Sequence, residues 1–242
     1  MNYFITGGTG FIGHNLIHEL LQKKKKATIY VLVRKDSKKK FDAQKKEWGT
    51  GAKRVIPITG DLTRPMLGIP AKKRRELEGK IDHIFHLAAV YDLLADAESQ
   101  ISVNVDGTHN TVKFAENIKA KRFHHMSSIA AAGLYPGIFR EDMFEEAHGL
   151  DNPYFRTKHD SEGVVRRECH IPWRVYRPGI VVGHSETGVI DKIDGPYYFF
   201  KLIQKMRKMM PAWMPTLGIE GGRINIVPVD YVVNAMIFIA HK

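Results

Sequence analysis

The stretch TGGTGFIG, residues 6–13, decides the fold of this chain. It follows the apolar run NYFIT (2–6) and leads directly into an amphipathic segment of helical pattern. Gly7 suits a tight turn, Gly10 a close backbone approach to a pyrophosphate, and Gly13 close packing of the helix on the strand. A glycine-rich turn between the first strand and the first helix is typical of a dinucleotide-binding unit. We therefore expect cofactor contacts throughout this turn: Thr6, Gly7, Thr9, Gly10, Phe11, Ile12 and Gly13.

Apolar runs and amphipathic stretches alternate after this turn. The runs are short and rich in β-branched or aromatic residues, as buried strands are. Strand–helix alternation of this kind produces right-handed βαβ units and a parallel sheet. The sequence therefore predicts an α/β fold, a Rossmann-type doubly wound parallel sheet, with further strands at TIYVLV (28–33), RVIPIT (54–59), DHIFHLA (82–88), RFHHMSS (122–128) and WRVYRP (173–178).

The regular alternation ends near residue 180, where glycine, proline and aromatic residues become frequent. Ligands of open α/β sheets bind at the carboxyl edge, so an irregular segment after the last strand suits the substrate side. We predict an NADP-binding Rossmann domain with the catalytic residues at 1–180 and a small, mainly helical substrate-side region at 181–242. Within that region, residues 225–242 are expected to return to the Rossmann core as a strand and a helix.

Composition narrows the class of protein. Of 242 residues, 43% are hydrophobic and 26% charged, which is ordinary for a globular domain. A single cysteine, the absence of a long apolar run and the lack of a signal-peptide pattern favour a cytoplasmic protein. The net charge of +11 comes from lysine and arginine runs in the first third of the chain. Such runs at turns and helix ends are typical of solvated surface, so we predict no nucleic-acid partner.

The end of the second predicted strand should select the cofactor. Arg34 stands 21 positions after Gly13, where NAD-binding sites place an acidic residue for the ribose 2′-hydroxyl. Arg34 and Lys35, helped by Ser37, suit a 2′-phosphate instead, so NADPH/NADP⁺ is the expected cofactor. After the third strand, Asp61 with Leu62 is placed to meet the adenine. Asp61 could equally cap the following helix, and the sequence leaves both interpretations open.

The segment YFRTK supplies a candidate acid–base pair. Tyr154 and Lys158 are four residues apart and therefore project from one face of a helix. We expect the ammonium group to favour the phenolate and so to lower the pKa of Tyr154. The same lysine could reach the ribose hydroxyls of the cofactor.

Six motifs together resemble an extended short-chain dehydrogenase/reductase across essentially the whole chain. They are TGGTGFIG, HLAA (86–89), NVDGT (104–108), MSSIAAAG (126–133), YFRTK (154–158) and YRPGIVVG (176–183). The resemblance implies that the catalytic residues are Ser128, Tyr154 and Lys158. It also implies cofactor contacts from Ala88, Ala89, Asn104, Pro178 and Ile180, with Asn104 near the nicotinamide and the last two at its carboxamide.

Within that family the chain is similar to the thioester-reductase branch, above all to the amino-terminal reductase domain of bacterial fatty acyl-coenzyme A reductases. The segments GDLTRPMLGI (60–69) and YRPGIVVGHSETG (176–188) carry this likeness. It implies NADPH-dependent reduction of a long-chain fatty acyl-CoA to the aldehyde, with the alcohol as further product. It also implies that a second reductase domain follows Lys242 in the complete protein.

The residues themselves favour a reaction without a covalent intermediate. Cys169 is the only thiol and precedes a buried strand, so we interpret it as a packing residue and not as the acylated nucleophile of an aldehyde-dehydrogenase route. Ser128 and Tyr154 would then stabilise the developing oxyanion by hydrogen bonding. His83 and His86, like the neighbours His124 and His125, should point to opposite faces of the sheet, so no metal site is predicted.

The segment YYFFKLIQKMRKMMPAWM (197–214) suits a lipid substrate. Its helical pattern has one apolar face, which is either ordinary core or the wall of an acyl tunnel. The opposite, cationic face suits the phosphates of coenzyme A or a peripheral contact with the anionic inner membrane. The apolar face comprises Phe199, Leu202, Ile203, Met206, Met209, Met210 and Trp213.

Two other functions fit the same fold. A nucleotide-sugar epimerase or dehydratase would share the glycine-rich turn and the Tyr154–Lys158 pair, although the oily segment and Arg34 argue against it. A non-catalytic NADP-sensing protein would need the cofactor site but not all three catalytic residues.

Overall fold

The computed structural model describes residues 1–90, 96–190, 197, 203–205, 207, 209 and 224–242. Its centre is a six-stranded, all-parallel sheet with the strand order β3-β2-β1-β4-β5-β6. This order reverses direction between β1 and β4, as in doubly wound dinucleotide-binding folds, and confirms the predicted fold class. The strands are β1 (Asn2–Thr6), β2 (Thr28–Val33), β3 (Val55–Thr59), β4 (His83–His86), β5 (Phe123–Met126) and β6 (Trp173–Tyr176).

Helices cover both faces of the sheet. The first, second and last described helices pack on one face and the third, fifth and sixth on the other, and the central strands β1 and β4 are buried on both faces. The helices are α1 (Phe11–Lys23), α2 (Lys38–Glu47), α3 (Ala71–Leu77), α4 (Ala97–Gln100), α5 (Gly107–Asn117), α6 (Pro153–Glu168) and α7 (Val229–Ala240). A π-helical segment, Ile101–Asp106, joins α4 to α5. None of the helices in the described ranges is long and apolar enough to cross a membrane.

The two faces of the sheet form two hydrophobic clusters. Alternate residues of β1 illustrate the division, since Tyr3 and Ile5 belong to the first cluster and Phe4 to the second. The first cluster is closed by α1 and α7, and the second by α5 and α6. This packing fixes the carboxyl ends of the strands along one edge, where the predicted site residues lie.

The end of the chain returns to the core by a separate route. A two-stranded parallel sheet pairs β7 (Ile180–Val182) with β8 (Ile226–Pro228), and α7 then packs on α1. The returning strand therefore pairs with β7 and not with the six-stranded sheet. The division of the chain at residue 180 stays a prediction.

Four buried histidines form pairs across neighbouring strands. On one face, His83 Nδ1 lies 2.9 Å from His124 Nε2. On the other, the rings of His86 and His125 stack with centroids 5.5 Å apart. Burial lowers the pKa of His83 to about 4 and of His86 to about 3, so both are neutral at neutral pH. In the described part of the chain, no group of three or more histidine, cysteine or acidic residues is arranged to hold a metal ion.

Candidate active site

The glycine-rich turn brings β1, α1 and β4 into very close contact. Gly7 has a φ of +72°, and a Cβ there would lie 2.6 Å from the backbone nitrogen of Ala88. A Cβ on Gly13 would lie 2.2 Å from the Gly7 carbonyl oxygen. Gly10 donates its N–H to that same oxygen at 2.9 Å. Side chains at Gly7 and Gly13 are therefore incompatible with this backbone, and the turn remains open on its outer side.

The N-terminus of α1 is suited to binding an anion. Gly10 is the N-cap residue, and the first turn of α1, which lies wholly in a described range, has no side-chain cap. The unpaired N–H groups of such a turn favour a phosphate. Phe11 and Ile12 pack partly against the core, so their contribution to binding would come from the backbone. Gln44 of α2 donates to the Thr9 carbonyl at 3.2 Å and so ties α2 to the turn. These residues fit a dinucleotide pyrophosphate.

A buried polar chain supports the turn from below. Thr6 Oγ1 lies 2.7 Å from His86 Nδ1, and His86 Nε2 lies 2.9 Å from Thr108 Oγ1. Thr108 in turn donates to the Asn104 carbonyl at 2.6 Å. Thr6 also accepts the Ala88 N–H at 3.4 Å, immediately before the half-buried Ala89. The chain thus ties the end of β1 to the end of β4 and to the π-helical segment.

The end of β2 presents exposed cations. The Arg34 side chain is 60% exposed and its Nε lies 3.5 Å from Asp36. Lys35 is exposed beside it, and Ser37 donates to Asp36 at 3.1 Å. Asp36 is therefore held by Arg34 and Ser37. Arg34 and Lys35 stand free of any buried contact that would prevent them from meeting a phosphate.

Asp61 and Leu62, which follow β3, both make contacts within the protein. Asp61 accepts the N–H and the hydroxyl of Thr63 at 3.0 and 2.9 Å, both at Oδ1, and so closes a turn. The Thr63 backbone bond is the main reason why the pKa of Asp61 is lowered. Asp61 does not cap the following helical segment, whose N-cap residue is Arg64, and its contact with the adenine stays a prediction. The Leu62 side chain is buried in the core and its carbonyl accepts from Asn110 at 2.8 Å, so neither is directed to a ligand.

Ser128 and Tyr154 come together at the end of β5. Ser128 follows that strand, and its hydroxyl accepts the Ala130 N–H at 3.1 Å. Tyr154 lies in the first turn of α6, which begins with Pro153 and is capped by Asn152 at 2.9 Å. Ser128 acts on the Tyr154 phenol, since its hydroxyl lowers the pKa of Tyr154 against the larger effect of burial. Two hydroxyl groups therefore converge beside the cofactor cradle.

Lys158 lies beneath this pair, but it does not act on Tyr154 as the sequence suggested. The lysine is 5% exposed and donates to the Met126 carbonyl at 3.3 Å. Burial lowers the pKa of Lys158 to about 8. Burial raises the pKa of Tyr154, against the opposing hydrogen bond from Ser128. The predicted lowering of the Tyr154 pKa by Lys158 is therefore wrong, because desolvation is the largest influence and only Ser128 opposes it. Tyr154 is a neutral phenol and a hydrogen-bond donor at neutral pH.

Asn104 and the turn after β6 lie at the carboxyl edge of the sheet with the other candidate site residues. Asn104 is 2% exposed and exchanges two hydrogen bonds with Val90, at 2.8 and 3.0 Å, and a third with Thr157 at 3.2 Å. These bonds use both amide donors and one acceptor position of Asn104 and fix the chain after β4, while its contact with a nicotinamide stays a prediction. The Pro178 carbonyl accepts the Ile129 N–H at 3.1 Å, which places it beside Ser128. The Ile180 N–H donates to Asn225 at 2.8 Å, so it is occupied in this structure.

The lone thiol is a packing residue in the structure. Cys169 is 8% exposed and its thiol lies 3.6 Å from the Ile171 carbonyl. Burial raises the pKa of Cys169 to about 11, which leaves almost no thiolate at neutral pH. A poor nucleophile at this position agrees with the prediction from sequence.

Sequence reasoning missed one buried residue that touches the site elements, Glu162. It is fully buried on α6 and accepts a hydrogen bond from Ser127, the neighbour of Ser128, at 2.8 Å. Its spacing of four residues from both Lys158 and Arg166 was a signal, but that pattern is also typical of solvent-exposed helical pairs.

The strand order, the glycine-rich turn and the Ser128–Tyr154–Lys158 group define the class: an extended short-chain dehydrogenase/reductase, an NAD(P)-dependent oxidoreductase. The particular family follows from comparison with known proteins. The NAD-binding family described as "Male sterility protein" matches residues 5–236, and the chain belongs to it. The family resemblance predicted from the motifs is thereby confirmed.

Relatives in this family include both acyl-CoA reductases and peptide synthetases. The chain is 28% identical over 277 residues to the fatty acyl-CoA reductase wat of Drosophila melanogaster, covering 97% of this chain and 53% of that protein. It is 30% identical over 259 residues to the non-canonical nonribosomal peptide synthetase hkm10 of Aspergillus hancockii, covering 98% of this chain and 24% of that protein. The chain thus spans about half of the first relative and about a quarter of the second.

A solved structure resembles the whole chain. It is the terminal R domain from the myxalamid PKS-NRPS biosynthetic pathway, with a TM-score of 0.85 and 28% identity. The match covers 100% of this chain and 62% of that one. The likeness places the chain among thioester and acyl reductases of the family and leaves the substrate open.

Two glycine substitutions should separate folding from cofactor binding. Gly10 has a φ of −81°, and a Cβ there would meet the Gly7 oxygen at 3.2 Å, so Gly10→Ala is expected to fold normally. The added methyl group would occupy the outer side of the turn, and we expect it to weaken NADP⁺ binding by about tenfold, which is about 1.4 kcal/mol. Gly13→Ala should instead lower the melting temperature of the free protein, because its Cβ clashes with backbone.

Titration calorimetry with NADP⁺ and thermal melting of both variants measure this difference. Wild-type affinity in Gly10→Ala would contradict the placement of the pyrophosphate at this turn.

Proposed function

We propose that the chain reduces a long-chain fatty acyl-CoA to the fatty aldehyde with NADPH. The observation that carries the proposal is the convergence of the Ser128 and Tyr154 hydroxyls beside the glycine-rich cradle, in a chain of the acyl- and thioester-reductase family. The similarity to a Drosophila fatty acyl-CoA reductase supports the choice of substrate. Nucleotide-sugar conversion and NADP sensing remain as outcomes of the test.

The two hydroxyl groups suit the chemistry of a thioester carbonyl. Ser128 and Tyr154 would donate to the carbonyl oxygen and stabilise the negative charge that develops there. NADPH, when bound, supplies the hydride. Tyr154 can donate its proton to that oxygen, because its raised pKa keeps the phenol neutral. The resulting thiohemiacetal would return its hydroxyl proton to the Tyr154 phenolate and lose coenzyme A thiolate, so the C–S bond breaks as the carbonyl of the aldehyde reforms.

The protein's other groups fit a route without an acyl-enzyme. Cys169 is buried and its pKa is raised, so a non-covalently held thioester agrees with the residues at hand. Lys158 would bind the ribose hydroxyls from below, as the family resemblance implies. Pro178, whose carbonyl lies beside Ser128 through Ile129, would position the carboxamide end of the cofactor.

The parts of the proposal that concern lipid binding stay predictions. Most of the apolar stripe, including Phe199, Leu202, Met206, Met210 and Trp213, lies outside the described residues. The acyl tunnel and the peripheral membrane contact are therefore expected from the sequence pattern only. The same holds for reduction onward to the alcohol and for a second reductase domain after Lys242.

A substrate comparison tests the proposed activity. Wild-type protein with NADPH and palmitoyl-CoA should oxidise NADPH and release one free thiol for each NADPH consumed. UDP-glucose with NAD⁺ serves as the comparison, since an epimerase converts the sugar without net change in cofactor. Sugar conversion without thiol release would overturn the proposal, and tight NADP⁺ binding without turnover of either substrate would favour a sensor.

The preference for NADPH should depend on Arg34. Arg34→Asp removes a charge-assisted contact to the 2′-phosphate and adds a repulsive one, so we expect the kcat/KM ratio of NADPH to NADH to fall by about 10–100-fold. Lys39→Asp makes the same charge change on an exposed residue of α2, beyond the strand end, and should leave the ratio nearly unchanged. An equal effect of the two substitutions would mean that Arg34 provides only non-specific electrostatic attraction for NADPH and no contact with the 2′-phosphate.

The pH dependence of kcat/KM for NADPH should report the ionisation of Lys158. Burial lowers the pKa of Lys158 to about 8, so its ammonium form is present below that pH and is lost as the pH rises. We expect kcat/KM for NADPH to be constant on the acid side of this value and to fall about tenfold per pH unit above it. Lys158→Arg keeps the charge at every accessible pH and should move the decline upward. An unchanged decline in Lys158→Arg would assign it to another group.

A further inference from the structure

Glu162 is a buried carboxylate with four hydrogen-bond donors. Its Oε2 accepts from Ser127 Oγ at 2.8 Å and from Arg177 Nε at 2.9 Å. Its Oε1 accepts from Arg177 Nη2 at 2.6 Å and from Arg166 Nε at 2.8 Å. The side chain is 0% exposed, and the Arg177 side chain is 12% exposed. This is a fully formed bidentate pair inside the protein.

The carboxylate joins the three elements that carry the candidate site. Ser127 directly follows β5 and precedes Ser128, while Arg177 directly follows β6 and precedes Pro178. Glu162 itself lies on α6, one turn after Lys158. A shift of this one side chain would therefore move the hydroxyl that holds the substrate relative to the backbone that holds the cofactor.

Arg177 extends the same cluster to the loop after Ser128. Its Nη1 donates to the Arg140 carbonyl at 3.1 Å and its Nη2 to the Met143 carbonyl at 2.8 Å. The guanidinium also lies 5.0 Å from the centre of the Phe139 ring. The loop is thus held to the ends of β5 and β6 by one side chain.

Stability alone is a weak explanation for this arrangement. Buried ion pairs lose much of their attraction to desolvation, and apolar residues often replace them without loss. Burial by itself would raise the pKa of Glu162, but the bonds and charge of Arg177, with Arg166 and Ser127, lower it overall. The group is therefore charged at neutral pH, and its fixed geometry is what an apolar replacement could not reproduce.

We propose that Glu162 is a positioning residue: through Ser127 and Arg177 it sets the distance between the Ser128 hydroxyl and the Pro178 turn. The inference rests on the proposed function, since these two points hold the thioester carbonyl and the nicotinamide. Small errors in such a distance are costly, because a misplacement of about 1 Å can reduce a rate by about 100-fold.

Glu162→Gln tests the proposal at nearly constant volume. We expect the single-turnover rate of NADPH oxidation with palmitoyl-CoA to fall by about 10–100-fold. The KM for palmitoyl-CoA should change little, and the deuterium isotope effect with C4-deuterated NADPH should rise as hydride transfer becomes limiting. Loss of thermal stability alone, with rate and isotope effect unchanged, would overturn the proposal.

Two further variants separate positioning from folding. Ser127→Ala leaves Glu162 paired with both arginines and breaks only the link to the Ser128 strand, so it should reproduce the loss of rate even if Glu162→Gln does not fold. Asp82→Asn is the matched control, because it removes a partly buried carboxylate that pairs with Lys121 at 2.7 Å before β4, at the opposite edge of the sheet. It should lower stability and leave the single-turnover rate within twofold of wild type.

A measurement without substrate distinguishes this inference from the proposed function. The fluorescence of bound NADPH reports the surroundings of the nicotinamide in the binary complex. In Ser127→Ala and Glu162→Gln we expect it to shift toward that of free NADPH while the dissociation constant stays within about threefold, because the phosphate contacts are unchanged. If wild type fails to turn over palmitoyl-CoA, the proposed function is wrong, and the emission alone decides on Glu162. Unchanged emission in both variants would refute the positioning role.

Discussion

The carboxyl end of β1 lies so close to that of β4, and α1 so close to β1, that the turn between β1 and α1 has no room for a side chain at Gly7 or Gly13. Gly7 is set against Ala88, and Gly13 against the Gly7 carbonyl. This close approach allows α1 to begin directly above the sheet, with its amide groups directed at the edge where the strand order reverses. The rest of the site depends on it, because the polar chain from Thr6 through His86 to Thr108 keeps the two strands in this register.

Burial determines the chemistry of the groups at this edge. Lys158 and Tyr154 lie where the charged form of each is disfavoured, so the lysine pKa moves down and the tyrosine pKa moves up. A neutral phenol beside a serine hydroxyl is suited to donating hydrogen bonds to a carbonyl oxygen, which is what reduction of a thioester needs. Glu162 is also buried, but it stays charged because Arg177 meets both of its oxygens.

Much of the architecture could be predicted because it follows from local pattern. Six apolar runs gave six strands, and the glycine spacing located the turn at the end of β1. The burial of individual side chains could not be predicted from local sequence pattern in the same way. The four-residue spacing of Tyr154 and Lys158 gave their common face, but only the structure shows that Lys158 is 5% exposed and bonded to Met126. Asn104 was expected near the nicotinamide, and only the structure shows that its side chain also bonds to Val90 and Thr157.

Glu162 shows the same limit most clearly. In the sequence it is a glutamate between cationic residues on a polar helix, and its partner Arg177 belongs to another element. The pairing arises from the packing of α6 against the ends of β5 and β6, which no periodicity encodes. Such long-range polar contacts hold the elements of the candidate site together, and only the three-dimensional structure reveals them.

The most direct test of the account is a crystal structure of the protein with NADP⁺ and a non-reactive thioether or amide analogue of palmitoyl-CoA. The account predicts that the analogue's carbonyl oxygen, or the atom in its place, lies within hydrogen-bond distance of both the Ser128 and Tyr154 hydroxyls, with the 2′-phosphate beside Arg34. An analogue bound away from these two hydroxyls, with the Ser128–Tyr154 pair contacting no ligand atom, would contradict it.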